Sequence, residues 1–114
     1  MPVFSVSTNV DIDDEAQTQF LIAASQATAK LLGKPERYVM VHLQAAQRML
    51  FDGRDAPLAY CELKSIGLPT DRTAEMSEVL CDLLIEHFGI ASDRIYIEFS
   101  DAERKMFGWD RSTF

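Results

Sequence analysis

Long hydrophobic runs are missing from this 114-residue chain. Its longest apolar stretches are a few residues, against the ~20 needed to cross a bilayer, so no membrane anchor is expected. The N-terminus has no basic region followed by an apolar stretch, and no signal peptide is visible. Basic residues are scarce: 11 Lys and Arg face 18 Asp and Glu, for a net charge of −7, and they are scattered along the chain. A nucleic-acid partner is excluded on that balance, because phosphate binding needs a concentrated basic surface. There are only two cysteines, Cys61 and Cys81, too far apart for a redox C-x-x-C or a zinc pattern. Buried free thiols in a reducing compartment are the expectation. His42 and His87 have no metal-ligand spacing, and no metal site is expected.

What is present is an ordinary globular composition, 47% hydrophobic and 25% charged, in a length that suits one domain (residues 1–114). Val3 to Ser7 alternates as a short strand, and Asn9 to Asp14 supplies turn and capping residues. A helix is predicted from about Asp14 to Leu32. Its buried stripe is Ala16, Phe20, Ala23, Ala24, Ala27 and Leu31, and Gly33 is its stop. After Pro35, Tyr38 to Leu43 reads as a strand. Arg48 to Pro57 reads as an exposed turn region with room for a short edge strand.

The second half repeats the plan. A strand around Ala59 to Lys64 leads to a helix with Met76, Val79, Leu80, Leu83, Leu84 and Phe88 on one face, a stop at Gly89, and a strand Ile95 to Phe99. Gly33 aligns with Gly89, Val39 with Ile95, Val41 with Ile97 and Leu43 with Phe99, all at one offset of 56 residues. The predicted class is therefore α+β. Two right-handed βαβ units form one four-stranded mixed sheet with both helices on one face. The other face and the sheet edges are then bare, and association of copies of the chain is the expected remedy. Phe107, Trp109 and Phe114 mark an aromatic tail that should dock on its own subunit or on a neighbour.

Position 2 is the chemically distinctive one. A small residue after the initiator methionine normally permits removal of Met1, leaving Pro2 as a secondary amine fixed to the first strand. A terminal amine titrates at roughly 7.7 to 8.0 in isolation, and an apolar pocket or a neighbouring cation lowers that value. Such a base suits proton removal beside a carbonyl. Lys34, directly after the helix stop, is the candidate cation, both for the substrate's carboxylate and for depressing the amine. Each residue alone has a plainer reading: Pro2 as incidental, Lys34 as a solvated charge at a helix C-terminus, and Tyr38, Tyr96, Trp109 and Phe114 as packing.

Several segments in order, however, resemble the macrophage migration inhibitory factor family of the tautomerase superfamily. They are Met1 to Phe4 with Thr8 Asn9 Val10, Gly33 Lys34 Pro35 with Tyr38 and Val41 His42, Ser65 Ile66 Gly67, Asp93 to Ile97, and Gly108 Trp109 with Ser112 Thr113 Phe114. The resemblance implies a tautomerase-like fold assembled as a homotrimer, with an active site at each subunit boundary and no cofactor. It casts Pro2 as the catalytic base, Lys34 and the Ile66 backbone amide as substrate binders, and Tyr96 as a pocket residue from the adjacent subunit. Tyr38, Phe107, Trp109 and Phe114 become the pocket wall. The implied reaction is keto/enol tautomerisation of phenylpyruvate-like α-keto acids, with dopachrome-like compounds as further substrates. The competing reading is a cytokine-like signalling protein with a vestigial pocket and a receptor partner. A cytoplasmic location is expected, with export lacking a signal peptide left open.

Three departures qualify the resemblance. Glu98 stands where vertebrate members have asparagine, and a carboxylate near Lys34 would repel an anionic substrate and raise the Pro2 pKa. Leu58 replaces the first cysteine of a C-x-x-C that ends at Cys61, so thiol–disulfide activity should be absent. Phe107 is bulkier than the aliphatic residue usual at its position and should narrow the pocket.

Overall fold

Helix α1 runs from Asp14 to Leu32 in the computed structural model, which describes residues 1–114. Asp13 caps it, its carboxylate accepting the Ala16 amide at 2.8 Å, an interaction worth about 1 kcal/mol. At the other end Gly33 adopts the left-handed conformation with φ 62°. Its amide reaches the Lys30 carbonyl at 3.3 Å, and the Lys34 amide reaches the Ala29 carbonyl at 3.0 Å. This paired closure satisfies the last carbonyls of the helix and fixes the backbone of Lys34. The buried stripe is narrower than the sequence pattern suggests: Phe20, Ala24, Thr28 and Leu31 are buried, while Ala16, Ala23 and Ala27 are only half-buried.

The second helix, α2, spans Thr73–Phe88 and buries Met76, Leu80 and Leu84 before Gly89 ends it with φ 66°. Four strands complete the main sheet: β1 (Val3–Thr8), β2 (Met40–Gln44), β3 (Ala59–Ile66) and β4 (Ile95–Ala102). Their spatial order is β2-β1-β3-β4. β1 lies parallel to β2, β3 parallel to β4, and β1 antiparallel to β3, so the sheet is mixed and each half is a βαβ unit. Phe4, Val6, Cys61 and Leu63 enter one core with Phe20, Ala24, Leu80 and Leu84. Both helices therefore cover the same face. The opposite face carries Ser5, His42, Glu62 and Glu98 in a single row across the strands.

The repeat extends beyond the glycines. Short 3₁₀ turns at Glu36–Tyr38 and Ser92–Arg94 stand 56 residues apart, as do the starts of β1 and β3 and the ends of the two helices. Tyr38 and Val39 consequently lie outside β2, contrary to the strand expected from Tyr38. Pro35 is extended and launches a tight turn whose bonds run from the Tyr38 amide to the Pro35 carbonyl and from Val39 to Glu36.

Two other expectations change. The Arg48 to Pro57 region contains no edge strand, only a single bridge between Phe51 and Arg54. Its order comes from Arg94, which is buried and points its guanidinium at the carbonyls of Phe51 (2.6 Å), Ala56 (2.9 Å) and Arg54 (3.1 Å), with a longer contact to Pro57 (3.4 Å). Cys61 is buried and free, as expected, but Cys81 is only half-buried. Burial pushes the Cys61 thiol up to about 12, which keeps it protonated and unreactive at neutral pH.

Candidate functional site

The start of β1 places the N-terminus. Pro2 is fully buried, and its carbonyl accepts the Met40 amide at 3.0 Å, so the chain is bonded to β2 from Pro2 onward rather than frayed. The same bond brings the entry of β2 to the terminus and, with it, the 3₁₀ turn that carries Tyr38. On the other side β1 pairs with β3, Val3 standing opposite Lys64. The end of β3, with Ser65 and Ile66, therefore flanks Pro2. Lys34 crosses to that side, donating from Nζ to the Ile66 carbonyl at 3.3 Å.

The C-terminal tail closes the remaining side. It is a small hairpin, not a loop: Gly108–Trp109 (β5) pairs with Ser112–Thr113 (β6). Asp110 and Arg111 form the turn with φ 51° and 68°. The tail docks on its own subunit. Trp109 and Phe114 stack with centroids 5.4 Å apart, and both present to the Tyr38 ring edge-on at 5.7 and 6.2 Å. Phe107 packs against Phe114 at 6.1 Å. Edge and stacked contacts of this kind contribute roughly 0.5–1.5 kcal/mol each, enough to hold the short tail in place.

Between these parts lies a cavity of about 210 Å³, lined by Met1, Val3, Tyr38, Met40, Phe107, Trp109 and Phe114 among others, with Arg37 at its wall. It is mostly apolar. A larger concavity of about 640 Å³ follows the loop from Gln47 to Asp55, but it contains neither the terminal amine nor an aromatic wall, so the chemistry points to the smaller one. The amine on Met1 is held below its ordinary value of 8.0, first by burial, then by the positive charges of Lys34 and Arg104. The site therefore holds a nitrogen base under positive charge inside an apolar, aromatic-walled pocket, with a lysine beside it.

Of the expected residues, Pro2, Lys34, Ile66, Tyr38, Phe107, Trp109 and Phe114 converge at this end of the sheet. At Ile66 the contact made within the chain is through its carbonyl, not its amide. Tyr96 and Glu98 are elsewhere. Tyr96 stands beside Tyr60, which stands beside Ser7; that is five residues along β1 from Pro2, or roughly 17 Å, and two strands across the sheet from β1. Within one chain neither reaches the base. Glu98 does not approach Lys34 but accepts the Tyr60 hydroxyl at 2.6 Å, a bond that raises the tyrosine's pKa. Tyr96 packs against Phe51 with the rings tilted by 39° and centroids 4.6 Å apart, and is otherwise exposed. Sequence reasoning missed Arg37 and Arg104. Arg37 lies 4.8 Å over the Tyr38 ring, and its only signal was its place next to Tyr38.

Comparison with known proteins fixes the kinship. The profile of the family described as macrophage migration inhibitory factor matches residues 1–114, the whole chain. The chain belongs to the macrophage migration inhibitory factor family. It is 40% identical to a macrophage migration inhibitory factor homolog of Brugia malayi, covering 100% of this chain and 99% of that one. With macrophage migration inhibitory factor of Mus musculus it shares 38% over the same proportions. Among solved structures, the macrophage migration inhibitory factor homologue of Prochlorococcus marinus superposes with a TM-score of 0.92 at 42% identity, covering 98% of each chain. The family fold is thus that of the tautomerases, and membership supports an isomerase-type or cytokine-like role, small-molecule binding and oligomeric assembly in general. No helix is long and apolar enough to cross a membrane.

Proposed function

We propose that the chain is a cofactor-independent keto/enol tautomerase of phenylpyruvate-like α-keto acids, acting also on dopachrome-like compounds, with Pro2 as the general base once Met1 is removed. The observation that carries this is the setting of the N-terminus: the Met1 amine, one residue before Pro2, lies at an aromatic-walled cavity where burial, Lys34 and Arg104 all lower its pKa, and the same surroundings would act on the Pro2 amine once Met1 is gone. While Met1 is attached, the Pro2 nitrogen is an amide with no usable lone pair, and Met1 occupies part of the cavity wall. Its removal frees the nitrogen and vacates that space together. The prolyl amine then takes a proton from the carbon next to the carbonyl, and the enol oxygen gains a proton; reversal returns the keto form. A C–H bond is exchanged for an O–H bond while the double bond moves from C=O to C=C, with no net transfer of electrons, so no redox partner is needed.

In this reading Lys34 binds the substrate carboxylate, the Ile66 amide holds the carbonyl side, and Tyr38, Phe107, Trp109 and Phe114 clasp the ring. Tyr96 and Glu98, out of reach within one chain, belong to the pocket of a neighbouring copy in a homotrimer whose sites lie at subunit boundaries. Intact mass and N-terminal sequencing, run beside an ultraviolet assay of phenylpyruvate tautomerisation, test the role of Pro2. Processed chain should turn over substrate and chain retaining Met1 should not; equal rates from the two forms would refute it.

The second reading, a cytokine-like protein, is favoured by the names its relatives carry. It predicts saturable binding to a receptor ectodomain that survives covalent blocking of Pro2.

A further inference from the structure

We propose that Phe51 is a positioning residue: it holds the exposed ring of Tyr96 in one orientation, ready for the pocket of the neighbouring copy. The inference rests on the reading above, in which Tyr96 serves a site at a subunit boundary. Tyr96 is 63% exposed in the single chain. An exposed side chain loses rotamer freedom when it enters a pocket, and that loss is charged to the affinity of the site. A ring held beforehand avoids it.

Phe51 is suited to this because its own place is over-determined. Its amide and carbonyl exchange bonds with Arg54 at 3.0 and 3.1 Å. The turn between them is closed by Asp52 and Gly53, both left-handed with φ 58° and 66°, the geometry of a tight two-residue hairpin. The Phe51 carbonyl also accepts the guanidinium of the buried Arg94 at 2.6 Å, and the guanidinium carbon of the same residue lies 5.0 Å from the centre of the Phe51 ring. Arg94 thus holds both the main chain and the ring of Phe51. That ring meets Tyr96 with centroids 4.6 Å apart, within the range of favourable aromatic pairs. Arg94 ends a 3₁₀ turn and Tyr96 is the second residue of β4, so the contacts Arg94–Phe51 and Phe51–Tyr96 close a circuit through two residues of backbone. Tyr60, opposite Tyr96 in the register, gives its hydroxyl to Glu98, and the ring that supports Tyr96 is that of Phe51. Both Phe51 and Tyr96 also wall a cavity of about 380 Å³, so the tyrosine is supported while keeping an open flank.

The processed protein is compared with Phe51→Leu, Phe51→Tyr, Tyr96→Leu and the double change Phe51→Leu with Tyr96→Leu. Two readouts are used: turnover of phenylpyruvate, and binding of phenylacetate followed by the fluorescence of Trp109, the single tryptophan, which lies in the wall of the N-terminal cavity. Leucine leaves the main-chain bonds at position 51 in place. Phe51→Leu should weaken binding and lower kcat/KM about fivefold, the weight of one ring contact, and Phe51→Tyr should match the parent. Where Tyr96→Leu is already present, Phe51→Leu should change neither readout, because no ring is left to position. Additive effects of the two changes, a Phe51→Leu protein equal to the parent, or a loss that disappears as protein concentration is raised and so reports loosened assembly, would overturn the proposal. A coupled loss of phenylacetate binding with no turnover in any form refutes the tautomerase reading and leaves this one standing. Turnover with additive effects does the reverse, and a parent protein that neither binds nor turns over overturns both.

Discussion

Replacing Arg94 by methionine should cost about 3 kcal/mol of stability, although the residue contacts no carboxylate. Three of its bonds to backbone carbonyls are short, to Phe51 at 2.6 Å, Ala56 at 2.9 Å and Arg54 at 3.1 Å. At a net value of roughly 1 kcal/mol each they sum to about 3 kcal/mol. Losing the guanidinium's own burial cost works in the other direction, and so does rehydration of carbonyls at the exposed Arg54. Bonds to a charged donor lie at the upper end of the range, which offsets those gains. Methionine keeps much of the side-chain length, so the loss reports hydrogen bonding more than cavity formation. In a domain of this size the expected fall in Tm is about 12 °C, measured by denaturant titration and by thermal melts at fixed protein concentration. Arg94→Lys should recover less than half, because an ammonium has no planar fork to address three carbonyls at once. Hydrogen exchange should accelerate first at the Phe51 and Arg54 amides, which bond each other's carbonyls. A loss below about 0.5 kcal/mol for Arg94→Met, the range of ordinary surface changes, would refute the account of Arg94 as the anchor of this loop.

Two further outcomes are expected. The Thr28 hydroxyl is buried with no hydrogen-bond partner, so Thr28→Val, which keeps shape and branching, should stabilise the protein by about 1 kcal/mol; an unchanged or lower midpoint in urea would show that the hydroxyl is satisfied. Arg104 helps to hold the Met1 amine below its ordinary pKa, and in the proposed mechanism it would act in the same sense on the Pro2 amine that takes its place and must be neutral to work. Arg104→Gln should therefore raise the amine's pKa and move the acid limb of the kcat/KM profile to higher pH; a shift to lower pH, or none, would remove Arg104 from the base's environment.

Local signals with a single physical meaning carried over from sequence to structure. Gly33 and Gly89 end their helices because the left-handed closure needs a residue without Cβ, and the offset between them located the second half of the fold. The aromatic tail was legible as a docking segment, but its hairpin was not. Asp110 and Arg111 occupy positions where Asn-Gly is the usual signal, and tertiary contacts of Trp109 and Phe114 hold the turn instead. Tyr38 and Val39 have strand-forming side chains, yet Pro35 starts a turn that removes them from β2. Arg94 gave no sign of burial, since a buried arginine and a surface one look alike until the carbonyls that it meets are brought in from a distant part of the chain. Glu98 was expected near Lys34, but alternation along β4 sets it on the open sheet face beside Tyr60, and no pattern within one chain connects the two ends of the sheet.

The duplication also accounts for why only one half of the chain carries a candidate base. The residues that stand 56 positions beyond Pro2, Lys34 and Tyr38 are Leu58, Ile90 and Arg94. All three are buried. The slot before β1 holds a candidate base, while the slot before β3 holds an apolar side chain in the core. The residue after the first helix stop is a half-exposed lysine, and the residue after the second is a fully buried isoleucine. At the end of each 3₁₀ turn the divergence is sharper, because both residues receive a later or earlier part of the chain. Tyr38 takes the C-terminal hairpin against its ring and becomes the pocket wall. Arg94 takes the Phe51 to Pro57 loop onto its guanidinium and becomes an anchor. Leu58 does line a cavity, of about 380 Å³ with Phe51, Tyr60 and Tyr96 in its wall, but no amine or cation is among its lining residues. Exchanging Ile90 for lysine would therefore bury an unpaired cation in the core, a change expected to unfold the domain long before it could create a second site.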